Sequence, residues 1–446
     1  MSNKPATASG GWSDLYKKED WWAVWLGIGL VLAAILFWFS GSSIKLIAFD
    51  IPGWTEFGAV TAYLGSNLES LILMFIVFTV LFSIAVKILG HKLSEFIPGF
   101  LIIFVMAVMV SIFGSWEWAK KYNLEAPLVA LGLGLIISNV LPVPKWFEAA
   151  LRTEFYVKVG IVLLGATLPF TLIIQAGPVA FTQATVIAVS TFLSIYWAAT
   201  KLFGLDRRFA ATLGAGGSIC GVSASIAIGG AVKAEKQHVS VAITLVVVWA
   251  IIMIYALPVF ITASGIPAGP AGAWIGTSEF ADAAGMAAAA AIGDKAITTF
   301  TLMKVVGRDM FVGIWAFLLA LISITRWEKR EDGTKADAGE IWRRFPKFVL
   351  GFFVASALVT LIIAGADAAT SQAITSDIIK PLKTLRTWAF IFCFLAIGLT
   401  TRFRELTSVG WKPFAAFTTG VLINVPLGYI FSVLILGSYW VAVAAK

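Results

Sequence analysis

Long apolar runs separated by short polar segments recur from one end of the chain to the other. Most are long enough to cross the hydrocarbon core of a bilayer as a helix, which needs about 20 residues. They lie near residues 21–39, 70–89, 99–115, 126–141, 159–175, 179–203, 209–231, 239–261, 276–292, 310–325, 348–364, 387–399 and 413–436. The short alternation of apolar and polar residues that marks an outer-membrane barrel does not occur. The pattern predicts an all-α polytopic membrane protein with about 11–13 transmembrane helices.

The run at 209–231 is too rich in glycine and serine for an ordinary lipid-facing helix. Gly216, Gly217 and Gly221 give the backbone freedom and provide no side chain to pack. Inside a bilayer, unwound backbone persists only where protein or a water-filled cavity surrounds it, and such breaks indicate a transporter's binding site. Close helix packing through small residues is the alternative interpretation.

The run at 276–292 is the second unusual segment, because it is short and consists mainly of small residues. Its length is marginal for a full crossing and suits a discontinuous or interfacial helix. Glu279 and Asp282 share one helical face, and Ser278 is a candidate N-cap. Acidic residues within a membrane are costly and usually functional, although a position at the cytoplasmic mouth is the alternative.

The composition excludes several function classes. The chain has 446 residues, of which 59% are hydrophobic and 13% charged, with a net charge of +8. In a membrane protein such an excess reflects cytoplasmic loops, so we expect no nucleic-acid partner. The connections that would be cytoplasmic if the N-terminus were cytoplasmic are richer in Lys and Arg than the opposite ones, which favours that orientation. Cys220 and Cys393 are the only cysteines, and His91 and His238 the only histidines. We therefore expect no disulfide framework, no metal site, no cofactor and no enzyme activity.

Chain order suggests four segments and one internal repeat. The segments are an N-terminal addition at 1–125, a first transporter half at 126–325, a charged cytoplasmic linker at 326–347 and C-terminal transporter helices at 348–446. At a shift of 233 positions, a first set of residues reappears as a second: Gly165, Thr167, Phe170, Gly177 and Phe181, then Gly398, Thr400, Phe403, Gly410 and Phe414. The intervening number of spans is odd, so the repeat would have inverted topology, as in many secondary carriers.

Four short stretches resemble the YeiH-like family of proposed sulfate exporters. They are Gly216–Ala224 with Val232–Glu235, Gly160–Gly165, Gly398–Leu406 and Lys304–Arg308, and the resemblance covers roughly Ala126 to Leu436. It implies a bacterial inner-membrane carrier with inverted repeats, akin to bile-acid and sodium/proton carriers, that exports a sulfur oxyanion. Phe280 and Ala281 stand where the family often has a His-Asp pair, so no proton-relay residues are carried over.

Residue chemistry gives a candidate site in three parts. Backbone amides and hydroxyl groups would bind a small anion at Gly216, Gly217, Ser218, Cys220, Gly221, Ser223, Ser225, Thr277 and Ser278. Glu279 and Asp282 would couple transport to H⁺ or Na⁺. Lys304 and Arg308 would supply positive charge if they face the cavity, with snorkelling to the membrane interface as the alternative.

The predicted function is secondary active transport of a small anion such as sulfate, sulfite or a sulfonate. An anion channel and an organic-anion/sodium symporter are the alternatives. Predicted partners are the lipid bilayer and the anionic solute, and a homo-oligomer is left open.

Overall fold

The computed structural model describes residues 14–121, 126–309, 346–402 and 410–446, with a few single positions between 315 and 327. In these ranges the regular elements are helices, apart from one isolated bridge between Trp54 and Trp116. Eight of the described helices are long and apolar enough to cross a membrane, and two shorter apolar ones are Val129–Val140 and Asp282–Ile292. The prediction of an all-α polytopic membrane protein is confirmed. Most of the predicted span at 310–325 and of the linker at 326–347 lies outside the described residues.

The helices before the charged linker are α1 Asp14–Lys17, α2 Glu19–Phe39, α3 Phe57–Ser66, α4 Leu68–Ile88, α5 Leu93–Gly114, α6 Glu117–Lys121, α7 Ala126–Val140, α8 Thr153–Gly165, α9 Phe170–Trp197, α10 Arg207–Ser218, α11 Val222–Ala231, α12 Lys236–Ala263, α13 Ala268–Ser278, α14 Asp282–Ile292 and α15 Asp294–Thr301. Those after it are α16 Lys347–Ala364, α17 Ala368–Ile374, α18 Lys380–Thr400, α19 Trp411–Tyr429 and α20 Gly437–Ala444. Short 3₁₀ segments occupy Ile44–Ile47 and Lys145–Ala150. Wider π-helical turns continue four of the helices, at Ala198–Leu202, Leu302–Val306, Thr375–Ile379 and Ile430–Ile435.

The chain divides into two compact units, each assembled from three separate stretches. Unit 1 falls within Met1–Tyr122, Leu141–Pro169 and Lys347–Thr400, and unit 2 within Asn123–Val140, Phe170–Pro346 and Thr401–Lys446. Both copies of the predicted repeat lie where the chain leaves unit 1 for unit 2, at 169/170 and 400/401. The inverted topology itself and the four-segment division of the chain stay predictions.

Unit 1 is held together by aromatic packing around α8. Phe82, Phe100 and Phe392 pack in perpendicular or tilted pairs with centroids 5.2–5.5 Å apart, and Tyr156 of α8 lies among them. A glycine on α8, Gly160, lets the ring of Phe390 approach the helix backbone. The alternation of apolar and charged residues over 145–158 predicts a surface-lying helix, and this prediction is wrong, since Tyr156 is fully buried.

The predicted boundary between the fifth and sixth spans is also wrong. We expected the helix to stop near Gln175, but α9 runs unbroken through Pro178 to Trp197. The chain breaks earlier, between the end of α8 and Phe170, where Pro169 lies. Membrane helices tolerate an internal proline because neighbouring groups satisfy the carbonyl that the proline leaves unbonded, so Pro178 is a weak stop signal.

Candidate functional site

The first interrupted helix of unit 2 consists of α10 and α11. The Asp206 carboxylate caps the start of α10 by accepting bonds from the amides of Arg208 (2.9 Å) and Phe209 (3.1 Å). Helix α10 ends at Ser218, and Gly221 precedes α11 with φ +71° and ψ −111°. Other residues rarely adopt this conformation, so glycine is needed at the turn. The predicted break in the segment 209–231 is present.

The second interrupted helix consists of α13 and α14. Glu279 ends α13 in an extended conformation, and α14 begins at Asp282. Two predictions for this segment are wrong: Ser278 is the last residue of α13 and not an N-cap, and Glu279 lies in the break, so it does not share a helical face with Asp282. The Glu279 carboxylate caps the gap instead, with Oε1 accepting from the amides of Phe280 (3.1 Å) and Ala281 (3.4 Å). A carboxylate has enough acceptor sites to bind two amides at once.

The two breaks touch each other inside unit 2. A side chain at Gly221 would collide with the carbonyl oxygen of Phe280, so the backbone of one break rests directly on that of the other. Each break leaves backbone carbonyls at the end of a half-helix without helical partners. These carbonyl ends carry the negative end of the helix dipole, about half an elementary charge for each half-helix.

Lys304 binds the ends of both half-helices. It lies on the π-helical turn that continues α15 and is fully buried. Its Nζ donates to the carbonyl oxygens of Ile219 (2.9 Å) and Glu279 (3.4 Å), which are the C-cap residues of α10 and α13. Asp282 Oδ1 lies 3.3 Å from the same nitrogen. One ammonium thus compensates two helix ends and one carboxylate.

Arg308 binds the same two ends from the next helical turn. Its Nε donates to the carbonyl oxygen of Ser218 (3.2 Å), and Nη1 to those of Gly276 (2.9 Å) and Thr277 (2.8 Å). Nη1 also reaches the carbonyl oxygen of Glu279 at 3.2 Å. The remaining nitrogen, Nη2, is buried and makes no hydrogen bond to any described residue. Burial of both cations shows that interfacial snorkelling does not describe them.

A small cavity adjoins Arg308. Its volume is about 10 Å³, and Ser218, Ile219, Thr185 and Trp315 contribute to its wall. That is room for about one water molecule. A guanidinium nitrogen without a partner beside such a cavity is a donor that a small acceptor group could use.

The other predicted binding residues divide between the breaks and helix packing. Cys220 and Gly221 lie in the first break, Thr277 and Ser278 end α13, and Ser223 lies in the first turn of α11, although its side chain is outside what the structure describes. Gly216, Gly217 and Ser225 pack elsewhere: a side chain at Gly216 would meet Ser225 Oγ, and one at Gly217 would meet Ile195. The carbonyls of Ile219 and Gly276 were missed, because every residue type has a carbonyl and no sequence pattern marks it.

Comparisons with known proteins identify the family of the chain. A family described as Conserved hypothetical protein 698 matches residues 98–417. The chain belongs to this family. UPF0324 membrane proteins of Rhodopirellula baltica and Nitratidesulfovibrio vulgaris are each 33% identical to it over 83% and 80% of this chain, and the matches span 68% and 62% of those relatives. The UPF0324 membrane protein of Nitrosomonas europaea is 29% identical over 90% of this chain and 91% of its own length.

These matches confirm the resemblance to the YeiH-like family and the membrane location. The family match begins at residue 98, inside the segment predicted to be an N-terminal addition. No solved structure matches the chain.

Proposed function

We propose that the protein is a secondary active transporter of a small anion, and that the meeting point of the two interrupted helices in unit 2 is its binding site. The observation that carries the proposal is the pair of buried cations, Lys304 and Arg308, bound to the carbonyl ends of both half-helices. Burying two cations, two breaks and two acids in a membrane is costly, and such groups mark transport pathways.

The anion would bind where positive groups remain available. Arg308 Nη2 has no hydrogen-bond partner among the described residues, and the N-cap residue of α11 is Gly221, which has no side chain to cap the first amides of that helix. Helix N-termini favour anions because free amides and the positive dipole end point toward them. Ser218 lines the cavity next to Arg308 and adds a hydroxyl donor. The oxygens of sulfate, sulfite or a small sulfonate could accept hydrogen bonds from these donors.

Coupling would run through the acids of the second break. Asp282 is paired with Lys304, whereas Glu279 Oε2 has no hydrogen-bond partner in the described structure. Protonation or cation binding at either carboxyl group would change the charge next to the anion. The proposed setting is a bacterial inner membrane with a cytoplasmic N-terminus.

The test is uptake of labelled sulfate, sulfite and a short alkyl sulfonate into proteoliposomes under imposed pH and sodium gradients. We expect saturable accumulation of at least one of these anions. Arg308→Gln should abolish it, and Lys295→Gln should not, because Lys295 is exposed on the same helical stretch. Anion flux that does not saturate and does not lead to accumulation would identify a channel instead. Equal uptake by the Arg308→Gln and Lys295→Gln variants would show that Arg308 does not belong to the site.

A further inference from the structure

The ammonium of Lys304 is surrounded like a bound metal cation. Among the described residues its oxygen partners are two carbonyl oxygens, of Ile219 (2.9 Å) and Glu279 (3.4 Å), and Asp282 Oδ1 (3.3 Å). Carbonyls at the ends of half-helices, together with a carboxylate, are the groups that coordinate sodium in carriers with interrupted helices. Hard cations in general prefer such oxygen donors. The Lys304 side chain reaches these oxygens from a third helix and is itself fully buried.

We infer that Lys304 is a tethered cation that occupies an alkali-metal site at the crossing of the two breaks, so that the native protein binds no sodium or potassium there. The charges favour this assignment. One carboxylate and two neutral carbonyls suit a single positive charge, and the ammonium supplies it. A metal ion at the same place would meet the ammonium at contact distance, where like charges repel strongly in a buried setting.

Arg308 binds neighbouring carbonyl oxygens of the same two helix ends. Its guanidinium already engages the carbonyls of Ser218, Gly276 and Thr277, which would otherwise be available to a cation entering from the next turn. With both cations in place, the five carbonyl oxygens of Ser218, Ile219, Gly276, Thr277 and Glu279 each already accept a bond from a cationic side chain. The consequence for transport rests on the proposed function: sodium then has no site at Asp282, so of the two coupling ions we expect the proton, and anion movement should be independent of sodium. The statement about ion binding does not depend on transport.

The experiment removes the tethered charge and asks whether a free ion replaces it. The Tm of the purified protein in detergent is measured in sodium, potassium and choline chloride at equal ionic strength. The wild type should show no rise specific to an alkali ion. Lys304→Ala opens the space and leaves the three oxygens, so its Tm should rise with the logarithm of the sodium or potassium concentration, as for a ligand that binds only the folded state.

Two further variants make the result specific. Lys304→Met removes the charge but fills the space with an apolar chain, so it should lack the ion-dependent rise. Adding Asp282→Asn to Lys304→Ala removes the carboxylate and should abolish the rise. A sodium-specific stabilisation of the wild type would overturn the proposal. So would a Lys304→Ala protein that folds without any ion dependence, or one that folds in none of the three salts, since sodium would then fail to replace the ammonium.

Transport measurements distinguish failure of this inference from failure of the proposed function. If the proposed function holds, wild-type accumulation should be the same in sodium and in choline. An ion-dependent Tm in Lys304→Ala without transport of any tested anion would support the cation site and contradict the proposed function. If the wild type transports one of the anions and is also stabilised specifically by sodium, the proposed function is supported and the inference about Lys304 is contradicted.

Discussion

The ammonium nitrogen of Lys304 lies 2.9 Å from the carbonyl oxygen of Ile219, the residue at which the first half of the first interrupted helix ends. The same nitrogen reaches the end of the corresponding half of the second interrupted helix, at Glu279. A single side chain from a third helix therefore joins both breaks. Any movement of this third helix relative to the breaks must exchange these bonds, so the position of Lys304 and the geometry of the breaks are mechanically linked.

The contact between the breaks predicts a large effect of Gly221→Ala. The new methyl group would be strained at φ +71° and would collide with the carbonyl oxygen of Phe280. We expect the free energy of unfolding to fall by about 3 kcal/mol or more, from backbone strain and overpacking together. Denaturant titration in mixed micelles measures the change, and transport by the variant should be lost.

Gly265→Ala is the matched control for this variant. Gly265 has a similar positive φ of +63° but no atom within 4 Å of the position that a Cβ would take. Strain alone should then cost about 1–2 kcal/mol. If both variants lose the same free energy of unfolding, a methyl group at residue 221 adds no cost beyond backbone strain, and the close contact between the breaks is contradicted.

A second prediction concerns how α2 is attached to the rest of unit 1. Lys158 of α8 pairs with Asp20 at 2.8 Å and lies within 4 Å of Glu19 and Glu154, and only 12% of its side chain is exposed. Lys158→Met would leave these carboxylates without that cation. We expect a loss of about 1–3 kcal/mol in the free energy of unfolding, since three neighbouring, partly buried carboxylates lose a shared cation.

The control for Lys158 is an exposed ion pair of the same unit. Lys45 pairs with Asp377 at 2.5 Å, but 56% of the Lys45 side chain is exposed. Lys45→Met should change the free energy of unfolding by less than about 1 kcal/mol. A loss as large as that of Lys158→Met would mean that burial does not set the strength of these pairs.

His91 should titrate at a lower pH than an ordinary histidine. Partial burial, and then the nearby Arg152 guanidinium, lower the pKa of His91 below its usual 6.5, whereas Glu19 acts in the opposite direction. The Arg152 side chain contacts His91 Nε2 at 2.6 Å, which requires an unprotonated acceptor on the ring. NMR titration of ring-labelled histidine measures the pKa, and a His238→Gln variant assigns the His91 signal because the chain has two histidines.

The sign of the linked stability effect follows from the direction of this shift. The unfolded chain binds the proton more tightly than the folded one, so the stabilising contribution is present above about pH 6.5 and is lost as the pH falls through the lower pKa of the folded state. Arg152→Met should raise the pKa of His91, and Glu19→Gln should lower it further. A pKa that neither variant moves would show that these charges do not act on the ring.

The first helix interruption could be predicted from the sequence because local composition produces it, whereas the second falls at 279–281, inside the stretch that we expected to be helical. Gly221 needs a backbone conformation that other residues rarely adopt, and the segment from 276 to 292 is marginal in length for a full crossing, which indicates only that its helix is discontinuous or interfacial. The partners of Lys304 and Arg308 could not be predicted. Their charges are bound mainly by backbone carbonyls, whose convergence depends on how helices distant in sequence pack. A lysine or arginine near the end of an apolar run can be buried or can snorkel to the membrane interface, and its position in the sequence does not distinguish the two.

Gly216 and Gly217 show a different limit. Glycine in a membrane helix is explained equally well by unwinding and by close packing, and sequence cannot separate these two causes. The structure places both residues inside α10, where their missing side chains make room for Ser225 and Ile195. Of these three glycines, Gly221 at the break needs both a backbone conformation that favours glycine and the absence of a side chain.

The last prediction separates the roles of the two acids in the second break. Asp282 is the carboxylate partner of Lys304, whereas the Glu279 carboxylate caps a chain break through Oε1 and has no described partner at Oε2. Asp282→Asn keeps the shape but removes the charge that balances the ammonium. We expect this variant to lose accumulation driven by a pH gradient while retaining anion exchange at equilibrium, because the anion's own donors remain. Glu279→Gln should change how accumulation depends on pH, since it removes a proton-accepting group but keeps an Oε1 acceptor. Asp294→Asn, at an exposed position at the start of α15, should resemble the wild type in both assays. If Asp282→Asn and Glu279→Gln both concentrate the anion as the wild type does, the two acids only support the fold and coupling occurs elsewhere.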